Sequence, residues 1–396
     1  MVQNKPLKIV YCIPSLAVVG GGQRILAIKA NYFVEKFGYE IHVIATDNGN
    51  ISPYFHLHPS IRIHNLDINY DRVGPLYMRF FSYFYKRYLH KKRLNVCLKE
   101  LNPDFTILML RRELSFIMDM ADRSIKIAEN HFEKHSYLNN ANYALLRYFP
   151  KCIWRKWQRI QIECLKKVER FVVLTYEDEK QWFELDNITV IPNPLTFIPE
   201  HKSFCNSKQV IAVGRYVNQK GFDLLISAWQ MIASKHQDWT LKIYGDGPLR
   251  ERLQRKVIDA GLSDSCKLEF PVKDIAAKYA ESSVFVLSSR FEGFGLVIVE
   301  AMACGLPVVS FDCPCGPKDI ISDHVDGILV KTGDVEELAR QISYLIEHDE
   351  IREQMGKRAL ENVQRYKIEN IAILWRELFY TLLYVDRIQK VQPEGS

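Results

Sequence analysis

Cysteine patterns that would define a fold are missing from this sequence. The nine cysteines are odd in number and include no Cys-x-x-Cys pair, which disfavours both a disulfide framework and a zinc ribbon. Cys313 and Cys315 lie two residues apart, but no second cysteine pair accompanies them. We therefore interpret the cysteines as free thiols of a protein in a reducing compartment.

Long apolar segments and a strong charge bias are also missing. Residues Met1–Lys8 carry no apolar core of a signal peptide. No run of about 18 apolar residues occurs that could form a transmembrane helix. The 53 basic and 47 acidic residues leave a formal charge of +6, an excess too small to indicate nucleic-acid binding by itself. A cytoplasmic globular protein is expected.

Strand and helix patterns alternate in two separate parts of the chain. In the first part, strand patterns lie at 7–13, 40–46, 105–110, 125–129 and 171–175, with a helix pattern at 23–36. After Pro194 the alternation begins again, with strand patterns at 209–213, 240–244, 266–269, 284–287 and 307–310 and a helix pattern at 222–235. Such alternation predicts an α/β protein with parallel, doubly wound sheets.

The repeated alternation predicts two Rossmann-like domains that face each other across a cleft. The N-terminal domain is expected at 1–200 and the C-terminal domain at 201–369, in line with two domains for 396 residues. The last helix patterns, from 336 to 384, have no partner strands. The helix at about 370–396 is expected to pack back on the N-terminal domain.

The most informative motif is Arg290–Pro307, which follows the strand pattern at 284–287. In an open parallel sheet, ligands bind at the carboxyl ends of the strands. Gly293 and Gly295 allow the backbone to approach a phosphate closely, and the N-terminus of the following helix attracts negative charge. The motif therefore predicts a phosphate-binding loop that carries two carboxylates, Glu292 and Glu300.

On these residues the chain resembles the retaining GT-B glycosyltransferases called family 4, or group 1, over nearly its whole length. It resembles those of bacterial surface polysaccharide and lipid-linked oligosaccharide assembly. Glu292 and Glu300 match the Glu-x7-Glu motif of that family. The resemblance implies that Glu300 binds the ribose hydroxyls and that Glu292 is a catalytic residue beside the donor sugar. It also implies that backbone amides hold the donor diphosphate at four residues, Phe294, Gly295, Leu296 and Val297.

A second motif places Arg215 and Lys220 in the loop after the strand pattern at 209–213. Arginine offers a planar fork of donors and lysine a point charge, so the pair can clamp two phosphates. The resemblance places the same pair on the donor diphosphate. The Asp-x-Asp motif of metal-dependent GT-A enzymes does not occur. Fixed cations and helix-end amides are therefore expected to replace a metal, and no cofactor is expected.

The glycines at 20–22 are weaker evidence by themselves. They are followed by Ile25 where the dinucleotide fingerprint needs its third glycine, which disfavours an enzyme that uses a nicotinamide. The resemblance implies that Gly21 and Gly22 approach the donor phosphate and the acceptor.

His131 follows the strand pattern at 125–129. A single histidine is often structural, but the resembling family carries a Glu-His or Ser-His pair here, with the histidine reaching the donor sugar. We therefore expect His131 to be the second catalytic residue, with Glu129 orienting its ring.

Two stretches of basic and aromatic residues lie in the N-terminal domain. Tyr77–Arg93 holds seven aromatic and six basic residues without an acid, and Arg147–Arg159 adds Trp154 and Trp157. Such stretches suit anionic lipid headgroups or single-stranded nucleic acid, and they also occur on ordinary amphipathic helices. Because the resembling family binds its acceptor in this domain, we expect a lipid-linked saccharide acceptor and an anionic membrane surface as partners, and no nucleic acid. The protein would then lie on the inner face of the cytoplasmic membrane.

The segment from Cys313 to Ile321, together with Asp326-Gly327, resembles family members that use hexose or N-acetylhexosamine donors. The expected reaction is therefore transfer from a UDP-sugar, such as UDP-Gal, UDP-GlcNAc or UDP-GalNAc, to a saccharide of the cell surface. The alternatives are an NAD-dependent α/β protein, a nucleic-acid-binding module, and a sugar-nucleotide epimerase of GT-B shape.

Overall fold

The computed structural model describes residues 5–49, 51–70, 76–109, 112–139 and 151–391. Arg147 and the side chain of Arg79, both in the predicted basic stretches, lie outside the described part. The chain divides into two compact units. The first comprises Met1–Leu174, Glu179–Pro194 and Ile368–Ser396, and the second comprises Thr175–Asp178 and Leu195–Lys367.

The division between the units differs from the expected boundary at residue 200. It falls at Pro194, because the following segment is bound within the second unit: the Leu195 N–H donates to the carbonyl oxygen of Tyr366 over 2.7 Å. The short segment Thr175–Asp178 also belongs to the second unit, since two of its backbone N–H groups donate to the carboxylate of Asp319 over 3.1 and 3.3 Å.

A seven-stranded sheet forms the centre of the first unit. Its strands are β1 (Lys8–Ile13), β2 (Glu40–Ala45), β3 (Arg62–Asn65), β4 (Phe105–Leu108), β5 (Ile125–Glu129), β6 (Arg170–Val173) and β7 (Ile188–Val190). They lie in the order β3-β2-β1-β4-β5-β6-β7, and all described pairs are parallel. Strands β4 and β5 are buried along their whole length, as expected for a parallel sheet that is covered on both faces.

Helices follow these strands in the first unit. They are α1 (Gly21–Phe37), α2 (Leu76–Leu101), α3 (Lys134–Asn139) and α4 (Lys151–Lys167), and α5 (Tyr176–Gln181) crosses the division between the units. Helices α2 and α4 contribute to one apolar cluster, for example through Leu94, Leu98 and Leu165, each 0% exposed.

The second unit is built around a six-stranded parallel sheet. Its strands are β8 (Gln209–Val213), β9 (Thr240–Tyr244), β10 (Cys266–Glu269), β11 (Val284–Leu287), β12 (Val308–Phe311) and β13 (Gly327–Val330), in the order β10-β9-β8-β11-β12-β13. Its helices are α6 (Phe222–Ala233), α7 (Arg250–Asp259), α8 (Ile275–Ala280), α9 (Leu296–Ala303), α10 (Pro317–Ile320), α11 (Val335–Glu347) and α12 (Asp349–Asn362). The strand order reverses beside β8, which places the loops after β8 and β11 at the edge where such sheets bind ligands.

A last helix, α13 (Ile368–Val391), follows the second unit in the chain but belongs to the first. The ring of Phe379 on α13 lies 6.0 Å from that of Phe33 on α1 and 4.7 Å from that of Phe105 on β4. Among the described residues, no helix has the length and apolar character needed to cross a membrane.

Candidate active site

The loop between β8 and α6 packs closely against the end of β11, and this close approach requires a glycine at position 221. Gly221 has φ +61°, a conformation that favours glycine, and a Cβ at this position would lie 2.0 Å from the carbonyl oxygen of Ser288. The Ser288 hydroxyl in turn donates to the Lys220 carbonyl over 2.9 Å. These contacts fix the loop that carries Lys220 beside the loop that carries Glu292.

Lys220 and Glu292 form an ion pair with a distance of 2.6 Å between Nζ and Oε1. Their side chains are 17% and 6% exposed, and the Ser289 hydroxyl donates to the same carboxylate oxygen over 2.5 Å. An ion pair in partly buried surroundings is held more firmly than one at the surface. The lysine charge is therefore fixed in position at the carboxyl edge of the sheet.

Arg215 differs from its neighbouring cations. Its side chain is exposed and makes no hydrogen bond or ion pair to any other described residue. Arg290, by contrast, holds Asp223 through two hydrogen bonds of 2.9 and 2.7 Å. The guanidinium of Arg215 is thus available to an anion, whereas the guanidinium of Arg290 stabilises the loop.

The loop from β11 leads into α9 through Gly295, which has φ +91°. Leu296 and Val297 are the first residues of α9 and are half-buried; the first N–H groups of a helix have no partner within it. Phe294 is buried, with its ring 5.6 Å from that of Tyr366, so only its backbone remains for a ligand. This geometry suits an anion at the start of α9.

Glu300 lies in α9, one turn after its start, and is buried. Its Oε1 accepts a hydrogen bond of 2.5 Å from the Thr196 hydroxyl, and the Tyr279 hydroxyl lies 3.4 Å from Oε2. These contacts hold the carboxylate in one orientation. The structure therefore joins Glu292 to Lys220, whereas Glu300 has a separate set of partners in the same unit.

The predicted glycines of the first unit lie where α1 begins. Gly21 is the first residue of this helix and is exposed, and the preceding Gly20 provides no side-chain cap. A Cβ added to Gly22 would have no heavy atom within 4 Å, so packing does not require a glycine there.

His131 follows β5 in the first unit, and its side chain is 10% exposed. Its Nε2 lies 3.3 Å from Oε1 of Glu129, without the alignment of a hydrogen bond. The same oxygen contacts Nζ of Lys29. Burial alone would raise the pKa of Glu129, but Lys29 and His131 act against it more strongly and hold that pKa at about 2. Glu129 is therefore an anion beneath the imidazole.

Lys29 was not predicted from the sequence, although a signal was present. Its side chain is 1% exposed, and it sits on α1 four residues from both Ile25 and Phe33, which are 0% exposed. A lysine at a core position of an amphipathic helix is uncommon, since lysine is almost never fully buried unless it is paired.

A second cluster in the first unit was also missed. Glu113 is buried, and its Oε1 lies 3.4 Å from both the Thr46 hydroxyl and Nε2 of His90. Burial raises the pKa of Glu113 to about 7 and lowers that of His90 to about 3, which favours an uncharged pair. Glu113 contacts Thr46, which follows β2, and His90 on α2, so we assign this pair to packing between those elements.

The basic residues of α2 mostly hold that helix in place. Lys86 donates to the Asn69 carbonyl and Arg87 to the Ser115 hydroxyl, each over 2.5 Å. Lys91 pairs with Asp119 over 2.6 Å, and Arg93 donates to two carbonyl groups. Four exposed aromatic residues of the helix, spaced three or four positions apart, form an aromatic stripe, which consists of Phe81, Phe84, Tyr85 and Tyr88.

Comparisons with known proteins find glycosyltransferases among the relatives of this chain. Residues 196–362 match the family model of the glycosyl transferases group 1. An uncharacterized glycosyltransferase of Haemophilus influenzae is 29% identical over 373 residues, which cover 93% of this chain and 99% of the relative. The amylovoran biosynthesis glycosyltransferase AmsD of Erwinia amylovora is 31% identical over 233 residues, which cover 56% of this chain and 65% of the relative.

The fold matches that of a TarM mutant from S. aureus, solved in complex with fondaparinux, alpha-GlcNAc-glycerol and UDP. The TM-score is 0.73 at 17% identity, over 94% of this chain and 99% of that one. The predicted α/β class with two Rossmann-like domains of parallel strands is thus confirmed. The second unit matches the group 1 glycosyltransferases over residues 196–362, and the chain has the GT-B fold.

Proposed function

We propose that this enzyme is a retaining glycosyltransferase that moves a hexose or N-acetylhexosamine from a UDP-sugar to a saccharide acceptor and needs no metal. The observation that carries the proposal is the fixed Lys220–Glu292 pair on the loop that leads into α9. The UDP and alpha-GlcNAc-glycerol bound by the TarM mutant support a UDP donor and an α-linked product.

In the proposed site, the donor diphosphate lies against Arg215, Lys220 and the first amides of α9. Glu300 accepts hydrogen bonds from the ribose hydroxyls, and Glu292 lies beside the donor sugar. His131 contacts the same sugar in this proposal. The helix start at Gly21 and Gly22 lies close to the donor phosphate. The exposed guanidinium of Arg215 and the buried, oriented carboxylate of Glu300 support these roles.

The proposed reaction depends on the positive charges of Arg215 and Lys220 and on the negative charge of the leaving diphosphate. The bond from the anomeric carbon to the diphosphate oxygen breaks, and a bond to the acceptor oxygen forms on the same face of the sugar. The proton of the acceptor hydroxyl passes to the departing diphosphate, so no protein base is needed on the opposite face. Charge grows on the leaving group, where the cations of Arg215 and Lys220 stabilise it in place of a metal.

We expect an α-configured UDP-sugar to give an α-linked product, with turnover that persists in excess chelator. The reason is that the proposed site stabilises the leaving group with fixed cations and lets it accept the proton itself. The anomeric proton coupling in the NMR spectrum of the product measures the linkage, and a reaction without acceptor serves as the control. A β-linkage, or activity that requires added manganese, would contradict the proposal, and conversion of the donor sugar without an acceptor would indicate an epimerase.

The proposed acceptor is a lipid-linked saccharide of polysaccharide assembly, presented at the inner face of the cytoplasmic membrane. The similarity to AmsD supports the polysaccharide, and the aromatic stripe of α2 supports the membrane. Aromatic side chains suit the boundary between headgroups and acyl chains, and the exposed Arg155, Lys156 and Arg159 of α4 add positive charge.

The vesicle prediction concerns the aromatic stripe. The protein is expected to sediment more with anionic than with neutral vesicles and to be partly released by salt, which screens exposed charges. Replacing both Phe81 and Tyr85 by serine should lower vesicle affinity at least about tenfold, because a buried aromatic contributes about 1.5–3 kcal/mol. Phe204→Ser, which removes an aromatic that is 81% exposed in the second unit, is the matched control. If the double variant and Phe204→Ser bound vesicles equally well, the aromatic stripe would not be a membrane contact.

A further inference from the structure

A buried ion pair lies behind His131 in the first unit. Lys29 reaches from α1 to the carboxylate of Glu129 at the end of β5, and the two side chains are 1% and 2% exposed. The ring of Trp375 on α13 lies 4.3 Å from the Lys29 ammonium, where a cation is attracted by the face of the indole. Three separated segments of the chain therefore meet around one ion pair.

This ion pair is not the simplest way to fill the core. Burial of two charges costs several kcal/mol for each ion, and well-packed apolar residues often give equal or greater stability. The neighbours of Lys29 on α1, such as Ile25 and Phe33, are apolar, and an apolar residue would fit their pattern. Lys29 is also not the only charged or ionisable neighbour of Glu129, since the oxygen that contacts Lys29 lies 3.3 Å from Nε2 of His131.

We propose that Lys29 and Glu129 are positioning residues for His131. Lys29 fixes the carboxylate of Glu129, and this fixed anion, 3.3 Å from Nε2 of His131, attracts that side of the ring and leaves Nδ1 for a hydroxyl group of the donor sugar. A carboxylate that orients histidine in this way sets both the ring position and the tautomer. This inference rests on the proposed function, because it assumes that His131 contacts the sugar.

The test uses a pair of charge-neutralising substitutions. Lys29→Met and Glu129→Gln alone each leave one buried charge without its partner, so each should lower the melting temperature and lower kcat at least tenfold. The double variant Lys29→Met/Glu129→Gln has no unpaired charge, and its melting temperature should return toward that of the wild type. Its kcat should stay at least tenfold low, because the oriented carboxylate is gone. Recovery of both quantities would overturn the proposal and make the pair purely structural.

A matched control exists on the same strand. Lys126 of β5 pairs with Asp122 over 2.7 Å, and their side chains are 5% and 0% exposed. The variant Lys126→Met/Asp122→Asn removes a similar buried pair, and its kcat should remain within about twofold of the wild type once the protein is folded. A loss of kcat equal to that of the Lys29 and Glu129 double variant would also overturn the proposal.

Two further measurements separate this inference from the proposed function. In the His131→Asn background, Glu129→Gln should lower kcat no further, because the residue that it positions is absent. In the NMR spectrum of protein with labelled histidine rings, the His131 signal, assigned by its loss in His131→Asn, should move in the Lys29 and Glu129 double variant and stay in the Lys126 and Asp122 double variant. An unmoved signal would reject the positioning role even without turnover. An inactive wild type that fails to bind UDP would instead reject the proposed function.

Discussion

Replacing Lys220 by methionine is expected to lower kcat by about 10²- to 10³-fold, which is the usual cost of removing one preorganised group that stabilises transition-state charge. Methionine keeps the apolar stem of the side chain but removes the ammonium that contacts Glu292 over 2.6 Å. The effect should appear in kcat more than in KM, because negative charge on the diphosphate grows toward the transition state. Steady-state kinetics with a UDP-sugar donor would measure this split, and Arg215→Met should act in the same direction.

The control for Lys220→Met is Lys235→Met in the same unit. Lys235 forms an exposed ion pair with Glu347 over 2.6 Å, so its removal changes the net charge equally and should leave kcat within about twofold of the wild type. Because Lys220→Met leaves the buried carboxylate of Glu292 with only the Ser289 hydroxyl as a described partner, its melting temperature must be compared as well. A folded Lys220→Met variant with the wild-type kcat would refute the role of this lysine.

Replacing Glu300 by alanine is expected to weaken UDP binding about 5- to 150-fold, which corresponds to about 1–3 kcal/mol for lost hydrogen bonds to a charged group. Calorimetric titration with UDP alone measures this effect, since the ribose is present without the sugar. Glu300→Gln keeps one oxygen that can accept from the Thr196 hydroxyl, so its loss of affinity should be smaller.

Glu281→Ala is the matched control for Glu300→Ala. Glu281 is an exposed acid of the same unit that pairs with Lys278 over 2.7 Å, and its removal should not change UDP affinity. If UDP bound Glu300→Ala and wild-type protein equally, with equal melting temperatures, the ribose contact would have to be assigned to another residue.

The elements that position the two loops of the candidate site could be predicted from the sequence because they depend on local patterns. The strands Gln209–Val213 and Val284–Leu287 have the predicted bounds, and α9 begins at Leu296 as expected. Each strand is a short apolar run that ends at polar or glycine residues, which is typical of buried parallel strands. Gly295 has the positive φ that a glycine at a helix start permits.

Two strands of the first sheet could not be predicted. Arg62–Asn65 is mostly exposed and holds a single apolar residue, Ile63, and Ile188–Val190 has three half-buried residues. Both lie at the edges of the sheet, where one neighbouring strand and partial burial leave no continuous apolar run. Their formation depends on the strand beside them more than on their own sequence.

The partners of the site residues were beyond prediction for a different reason. Thr196 contacts Glu300 across 104 residues of sequence, and Lys29 contacts Glu129 across 100. No periodicity relates such pairs, since tertiary packing alone brings them together. The same limit applies to α2, where Lys86, Arg87 and Lys91 contact groups of the first unit that lie far from them in sequence. Contact of this helix with a membrane stays a prediction.

The return of α13 to the first unit has a consequence for the order of folding during synthesis. Phe379 on α13 completes the aromatic packing around Phe33 and Phe105, yet the ribosome makes this helix only after all of Leu195–Lys367. Domains generally fold as units while the chain emerges. The second unit is therefore complete before the last helix is made, whereas the first unit, although all its strands are made earlier, keeps part of its core uncovered until α13 follows.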